Sequence, residues 1–295
     1  MWLQEGSSGW GAIPLAAAIL SNTKRIGVGT GIVSPFRRHP LALAEDAAAL
    51  NELSGGRFTL GIGSGPSQLK AMGIKVSQLE GLKDAVEIMR RLLKGDQFLY
   101  PGKVFRLVTS SSLEVTPSSA PPIYIGALMP RMIELAAEIA DGLLISRRGG
   151  SSPRYVEEVT KQVRQVRQMK QISGQFVVRS FIESSIDNDG EKARQTARKF
   201  LASYTIRFAP RAVVEKAGFK YEDVAAMLES NRSPEEMISE EMIQEFSMSG
   251  TPKECLKKLK TFEWTRLDVP ILYIHGPSSE KALELAGTEI LPEMI

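Results

Sequence analysis

The chain has 295 residues, 43% of them hydrophobic and 24% charged, which excludes wholesale disorder and is enough to bury a core without a metal or disulfide staple. Its formal net charge of +3 is close to balance and gives no support to nucleic-acid binding. The lone cysteine, Cys255, excludes an intrachain disulfide and fits a reducing, cytoplasmic compartment, and two histidines, His39 and His275, are too few for a multi-histidine metal site, so no metal is expected.

Taken in chain order, the N-terminal run Met1-Trp2-Leu3-Gln4-Glu5 lacks the basic start of a signal peptide and reads as the stub of a strand. The longest apolar stretch, Ala12 to Leu20, contains Pro14 and is far short of the roughly 20 residues that cross a membrane. Arg25 to Val33 reads as a strand bounded by Pro35. Pro40 to Leu53 reads as an Ala- and Leu-rich helix with proline in its first turn, stopped by Ser54-Gly55-Gly56. Arg57 to Ile62 is a strand. Ser77 to Leu93 places apolar residues at 79, 82, 86, 89, 92 and 93, the spacing of a helix with one buried face.

Phe98 to Val115 predicts a hairpin turning at Pro101-Gly102. Then come a strand at Pro122 to Gly126, a helix at Met132 to Ala140 and a strand at Gly142 to Ser146. Pro153 to Gln171 is a basic helix, and Arg147 to Lys170 holds seven basic residues against Glu157 and Glu158. Gln175 to Ser184 is a strand, Glu191 to Phe262 is mostly helical, Val269 to Ile274 is the last strand and Glu280 to Leu291 the last helix. This alternation predicts an α/β fold with a parallel sheet and helices outside, either a barrel or a doubly wound sheet. Glycines cluster just after strands, at Gly29 and Gly31, Gly61 to Gly65, Gly126 and Gly149-Gly150, where ligands sit in both architectures.

Two segments carry more than composition. One is Thr23 to Val33 (TKRIGVGTGIV) followed by Arg38-His39-Pro40, and the other is Leu50 to Gly65 (LNELSGGRFTLGIGSG). Together they resemble the luciferase-like flavin monooxygenase and deazaflavin-reductase superfamily. The likeness continues through Ile123-Tyr124-Ile125-Gly126-Ala127, Ala136 to Gly142 and Phe246 to Pro252. Within the superfamily the branch that uses coenzyme F420, including methylenetetrahydromethanopterin reductase, is the most similar.

The resemblance implies a (β/α)8 TIM barrel of the bacterial-luciferase type lacking strand 1, helix 1 and part of strand 2. It implies a single domain over residues 1–295, with a helical insertion at about 190–250. It implies an oxidoreductase that moves a hydride between F420 and a small organic substrate. The alternatives are an FMN-dependent monooxygenase and a non-catalytic flavin-binding relative. A small-molecule substrate and a homodimer are expected, with no membrane partner.

The same resemblance makes Gly31-Ile32 a non-prolyl cis peptide that supports a tricyclic ring, with Thr30 and Val33 beside it. Gly63 and Ser64 are expected at the ring or substrate side. Gly126, Ala127 and Leu128 precede a helix whose free amides suit the cofactor phosphate. Ser146, Arg147 and Arg148 follow the next strand, where the arginines supply countercharge. Glu5 and His275 are the candidates for catalytic proton handling. His39, between Arg38 and Pro40, reads as structural, and Cys255 as core.

Overall fold

Proline or a small polar cap stands at the start of most of the helices. The computed structural model describes residues 1–6, 9–230, 232–276 and 279–294. They divide into two units, Met1–Leu144 with Val166–Val177, and Ile145–Gln165 with Val178–Ile295.

The first unit runs β1 (Trp2–Leu3), α1 (Ala12–Asn22), β2 (Val28–Thr30), α2 (Pro40–Ser54), β3 (Phe58–Ile62), α3 (Pro66–Ala71) and α4 (Gln78–Leu93). It continues with the hairpin β4 (Phe98–Tyr100) and β5 (Leu107–Ser111), then β6 (Ile123–Ala127), α5 (Pro130–Ile139) and β7 (Gly142–Ile145). The strand order is β1-β2-β3-β6-β7, and the β1–β2, β2–β3 and β3–β6 pairs are parallel. Strands buried on both faces read as continuous apolar runs, as β6 and β7 do. The predicted strand Arg25 to Val33 shrinks to three residues, because the chain leaves the ladder at Gly31 and touches β3 again only through Val33 opposite Ile62.

The two ends of α2 follow the predicted chemistry. Pro40 fills the first helical position, and Gly55 at φ 63° takes the left-handed stop that a side chain disfavours. His39 is the N-cap, its Nδ1 accepting the Leu41 N–H at 3.2 Å. Partial burial pushes its imidazole below the ordinary value. The folded chain therefore binds this proton less readily than the unfolded one, so the cap's contribution is complete above about pH 6.5 and is lost as pH falls through the depressed value. His39→Asn keeps a capping acceptor that does not titrate. We expect its melting temperature to fall less than that of the unsubstituted chain between pH 7.5 and pH 5, by an amount matching at most about 1 kcal/mol. Parallel melting curves of the two proteins would refute the assignment.

On α4 the predicted face is buried at Leu82, Val86, Met89, Leu92 and Leu93, with Leu79 half-buried. The same helix carries Asp84, a buried carboxylate that accepts the N–H groups of Val104 (2.7 Å) and Phe105 (3.1 Å) and the Tyr100 hydroxyl (3.2 Å). These bonds tie the hairpin to the helix. Burial and the neighbouring Asp84 push the Tyr100 phenol up to about 12.

The second unit holds α6 (Arg147–Gly150), α7 (Pro153–Met169, its end belonging to the first unit), β8 (Val177–Ile186) and α8 (Gly190–Phe200). A π-helical turn at Leu201–Thr205 leads to α9 (Arg211–Lys216), α10 (Tyr221–Glu229), α11 (Pro234–Met237) and α12 (Glu240–Phe246). Then follow β9 (Met248–Gly250), α13 (Pro252–Lys260), β10 (Val269–Ile274) and α14 (Ser279–Leu285). β8 is the centre of this unit. It pairs in parallel with β10 from Arg179 to Ser184, and its last residues, Ser184 to Ile186, pair in parallel with β9.

Glu191 to Phe262 is mostly helical, as predicted, with one short strand, β9, that the sequence did not reveal. The predicted insertion is helical from Gly190 to Phe246, and Met248–Gly250 then adds a strand to the end of β8. α13 opens with a capping box, Thr251 with Glu254, and buries Cys255 completely. Burial, with Glu254 nearby, pushes the Cys255 thiol up to about 12. It is therefore expected to stay unmodified by a disulfide reagent at pH 8 in the native chain and to react once guanidinium unfolds it. Fast labelling of the native protein would contradict that burial. Among the described residues, no helix is long and apolar enough to cross a membrane.

Candidate functional site

The predicted site residues fall in both units. In the first, the Gly31–Ile32 peptide is cis, as the resemblance implies. The flanking backbone is fully engaged: Gly31 N–H donates to the Leu3 carbonyl (2.7 Å), Val33 N–H to the Gly61 carbonyl (3.0 Å), and Gly63 N–H to the Val33 carbonyl (3.0 Å). Thr30 is buried, and its hydroxyl donates to the Gly61 carbonyl (2.7 Å) and accepts the Gly61 N–H (2.9 Å). Thr30 thus fastens β2 to β3 and has spent its donor inside the sheet.

Ile32 itself is half-buried and lies against two glycines. A Cβ at Gly63 would come within 3.0 Å of the Ile32 side chain, and one at Gly126 within 2.8 Å. Glycine at these positions was expected so that backbone could approach a ligand. The structure gives it a packing reason, since both leave room for Ile32. Ser64 offers its carbonyl to the Ser34 hydroxyl at 3.2 Å.

Gly126 and Ala127 are strand residues of β6, Leu128 is buried, and α5 starts at Pro130, which has no N–H to give. The Met132 N–H is already bonded to the Met129 carbonyl. This helix start is therefore poorer in free amides than the sequence suggested. Glu5 is not a loose terminal acid: its side chain is 11% exposed, 3.5 Å from Arg37 Nη1, and its carbonyl accepts from Gln68 Nε2 at 2.8 Å.

In the second unit, Ser146 is the N-cap of α6, and the Gly149 and Gly150 amides turn back to its carbonyl. Arg148 donates from Nη1 to the Phe208 carbonyl at 3.3 Å, and its buried Nε has no partner. Arg147 is held by its neighbours. Its guanidinium lies 3.7 Å over the Tyr204 ring and 4.6 Å from the Tyr273 ring centre, and Nη1 is 3.6 Å from Oε1 of Glu183.

Glu183 joins three elements. It is completely buried in β8, accepts the Thr205 hydroxyl at 2.6 Å on Oε1, and lies 2.5 Å from His275 Nε2 through Oε2. The His275 ring stacks on Phe200 at 4.0 Å and leans on Tyr273. The structure thus brings Arg147 and His275 together, which the sequence reading did not foresee, and adds Glu183, Thr205, Tyr204 and Tyr273, which it missed. One signal was available: an acid, Glu183, inside the predicted strand Gln175 to Ser184, at a place where a buried strand would carry an apolar residue.

Comparison with known proteins follows this geometry. The family model described as luciferase-like monooxygenase matches residues 1–269. The 5,10-methylenetetrahydromethanopterin reductase of Archaeoglobus fulgidus is 29% identical over 308 residues, covering 99% of this chain and 90% of that protein. The F420-dependent glucose-6-phosphate dehydrogenase of Nakamurella multipartita is 26% identical over 300 residues, covering 99% and 85%. Among solved structures, the coenzyme F420 dependent tetrahydromethanopterin reductase from Methanopyrus kandleri superposes with a TM-score of 0.88 at 24% identity, over 100% of this chain and 90% of that one. The fold is therefore the α/β luciferase-like barrel type that the sequence predicted.

Proposed function

The chain belongs to the luciferase-like monooxygenase family, and on that premise we propose that it is an oxidoreductase moving a hydride between coenzyme F420 and a small organic substrate, in the manner of a methylenetetrahydromethanopterin reductase. The observation that carries this reading is the likeness, over 99% of the chain, to reductases and F420-dependent dehydrogenases. The proposal takes residues 1–295 as one luciferase-like domain acting in the cytoplasm as a homodimer.

The residues present fit such a cofactor. In the second unit a cationic side chain, Arg148, keeps a buried Nε without a partner, as a residue awaiting an anionic group would. In the first unit Ile32 is held on Gly63 and Gly126 as an apolar ledge suited to a planar ring. The bound deazaflavin supplies the hydride chemistry. The chain's task is to hold and orient. Thr30, Gly31, Ile32, Val33, Gly63, Ser64, Gly126, Ala127 and Leu128 shape the ring side. Ser146, Arg147 and Arg148 hold the phosphate. Glu5, beside Arg37, and His275, against Glu183, are the groups placed to hold or pass a proton.

The test is binding followed by turnover. F420 is expected to raise the melting temperature and FMN to leave it unchanged. Stabilisation by FMN, with oxygen consumption in the presence of a flavin reductase, would replace this reading with the monooxygenase. Stabilisation by F420 with no turnover on any tetrahydropterin, alcohol or sugar phosphate would replace it with a cofactor-binding relative.

A further inference from the structure

An uncharged strand would serve a purely structural role better than the one β8 carries. Burying a carboxylate costs several kcal/mol unless charge and hydrogen bonds compensate, and Glu183 is 0% exposed. Its two oxygens are divided. Oε2 is taken by His275, and Oε1 by the Thr205 hydroxyl, delivered by the π-helical turn. Such turns are frequent at functional places. What remains of Oε1 faces Arg147 at 3.6 Å, too long for a hydrogen bond and close enough for charge attraction.

Arg147 is held without being consumed. Tyr204 and Tyr273 fix the plane of its guanidinium, Glu183 fixes its direction, and the side chain is 16% exposed. Its approach to Glu183 at 3.6 Å, the ion pair of its guanidinium among the described residues, is beyond hydrogen-bond distance. A guanidinium oriented by aromatic faces and a carboxylate, with its N–H donors unspent, is arranged to take an anionic oxygen bidentately.

We propose that Glu183 is a positioning residue that, with Thr205 and His275 saturating its other lone pairs, aims Arg147 at the phosphate of the bound cofactor. This rests on the reading above that Arg147 is a phosphate ligand. Glu183 touches neither cofactor nor substrate. It acts through the arginine.

The experiment is a double-mutant cycle read as F420 dissociation constants by fluorescence quenching, with far-UV circular dichroism and melting curves for each protein. Arg147→Ala is expected to weaken F420 binding on the order of tenfold or more, and Glu183→Gln on the order of tenfold. The double variant is expected to match Arg147→Ala alone, because Glu183 has nothing to position once the guanidinium is gone. Losses that multiply in the double variant would overturn the proposal and make Glu183 structural. Unchanged binding in Glu183→Gln, with the arginine variant impaired, would overturn it as well. Unchanged binding in Arg147→Ala would instead remove the phosphate-ligand reading beneath it. If Glu183→Gln does not fold, Thr205→Val takes its place in the cycle. It frees Oε1 without removing the charge, and the same non-multiplying loss of affinity is expected.

Discussion

Gly126→Ala is expected to lower F420 affinity by tenfold or more and the melting temperature by several degrees, although it adds one methyl group. The added Cβ would lie 2.8 Å from Ile32 Cγ2 and 3.6 Å from the Ile62 carbonyl oxygen. Cγ2 is a branch directly on Cβ of a residue whose χ1 is stiff, so it cannot swing aside alone. The backbone at Ile32 must move, and that backbone is pinned on both sides by the Gly31–Leu3, Val33–Gly61 and Gly63–Val33 hydrogen bonds. Overpacking of this kind costs about 1–3 kcal/mol. At roughly 2–4 °C per kcal/mol for a large domain, the fall is readily measured.

Gly63→Ala is the control. Its Cβ would meet Cγ1 and Cδ1 of Ile32 at 3.0 Å, against 2.8 Å for the contact at Gly126, with side-chain atoms alone as its nearest neighbours. Cδ1 can turn about χ2 and Cγ1 has only a few tenths of an ångström to give, so the cost is expected to be smaller than at Gly126, below about 1 kcal/mol, with affinity nearly kept. Calorimetric melting and F420 titration of both variants decide the matter. If Gly126→Ala binds F420 as well as Gly63→Ala does, Ile32 is not the ledge assigned to it.

The elements that the sequence revealed are those whose ends carry their own chemistry. α2 was readable from Pro40 at its start and Gly55 at its end, because proline and glycine act locally and the structure needs nothing distant to enforce them. α4 was readable from its apolar spacing. β9 was not, because three residues carry no alternation and the strand exists only through pairing with β8. The site divides in the same way. Gly31-Ile32 lies within one short motif and was found by resemblance.

The Glu183 cluster was invisible for a different reason. Its carboxylate meets an imidazole 92 residues downstream, a hydroxyl 22 residues downstream and a guanidinium that precedes α7. No local spacing encodes that meeting. The sequence placed Arg147 and His275 correctly as residues at strand ends. It read the arginine as countercharge to a phosphate and missed the acid beside it, which comes from another strand.

Arg57→Lys is expected to cost about 2–4 kcal/mol, one of the largest losses for a substitution that preserves charge. Arg57 is half-buried at the end of the Leu-Ser-Gly-Gly-Arg segment that carried the resemblance. Its Nε donates to the Ser54 carbonyl at 2.8 Å, Nη1 to the Ile26 carbonyl at 2.7 Å, and Nη2 to the Leu20 and Thr23 carbonyls at 3.0 Å each. α1 has no basic residue in its last turn. The last carbonyls of a helix need partners, and here a distant guanidinium provides them while holding α1 against the stop of α2. A lysine ammonium is a single point that cannot reach three directions from one stem, so two or more of these carbonyls would lose their donor. Arg38→Lys is the comparison. Arg38 makes a part-exposed pair with Asp46 at 2.6 Å, which a lysine can largely replace, and the expected loss is below about 1 kcal/mol. Denaturant melts should rank Arg57→Lys well below both Arg38→Lys and the unsubstituted chain. At a temperature well under its melting point, Arg57→Lys should still bind F420 with nearly unchanged affinity, because its hydrogen bonds go to backbone carbonyls and the Thr23 hydroxyl of the first unit, away from Ile32. An affinity loss as large as that of Gly126→Ala would mean that this motif serves the ligand directly, and the division between a fold-keeping Arg57 and a ring-facing Ile32 would have to be abandoned.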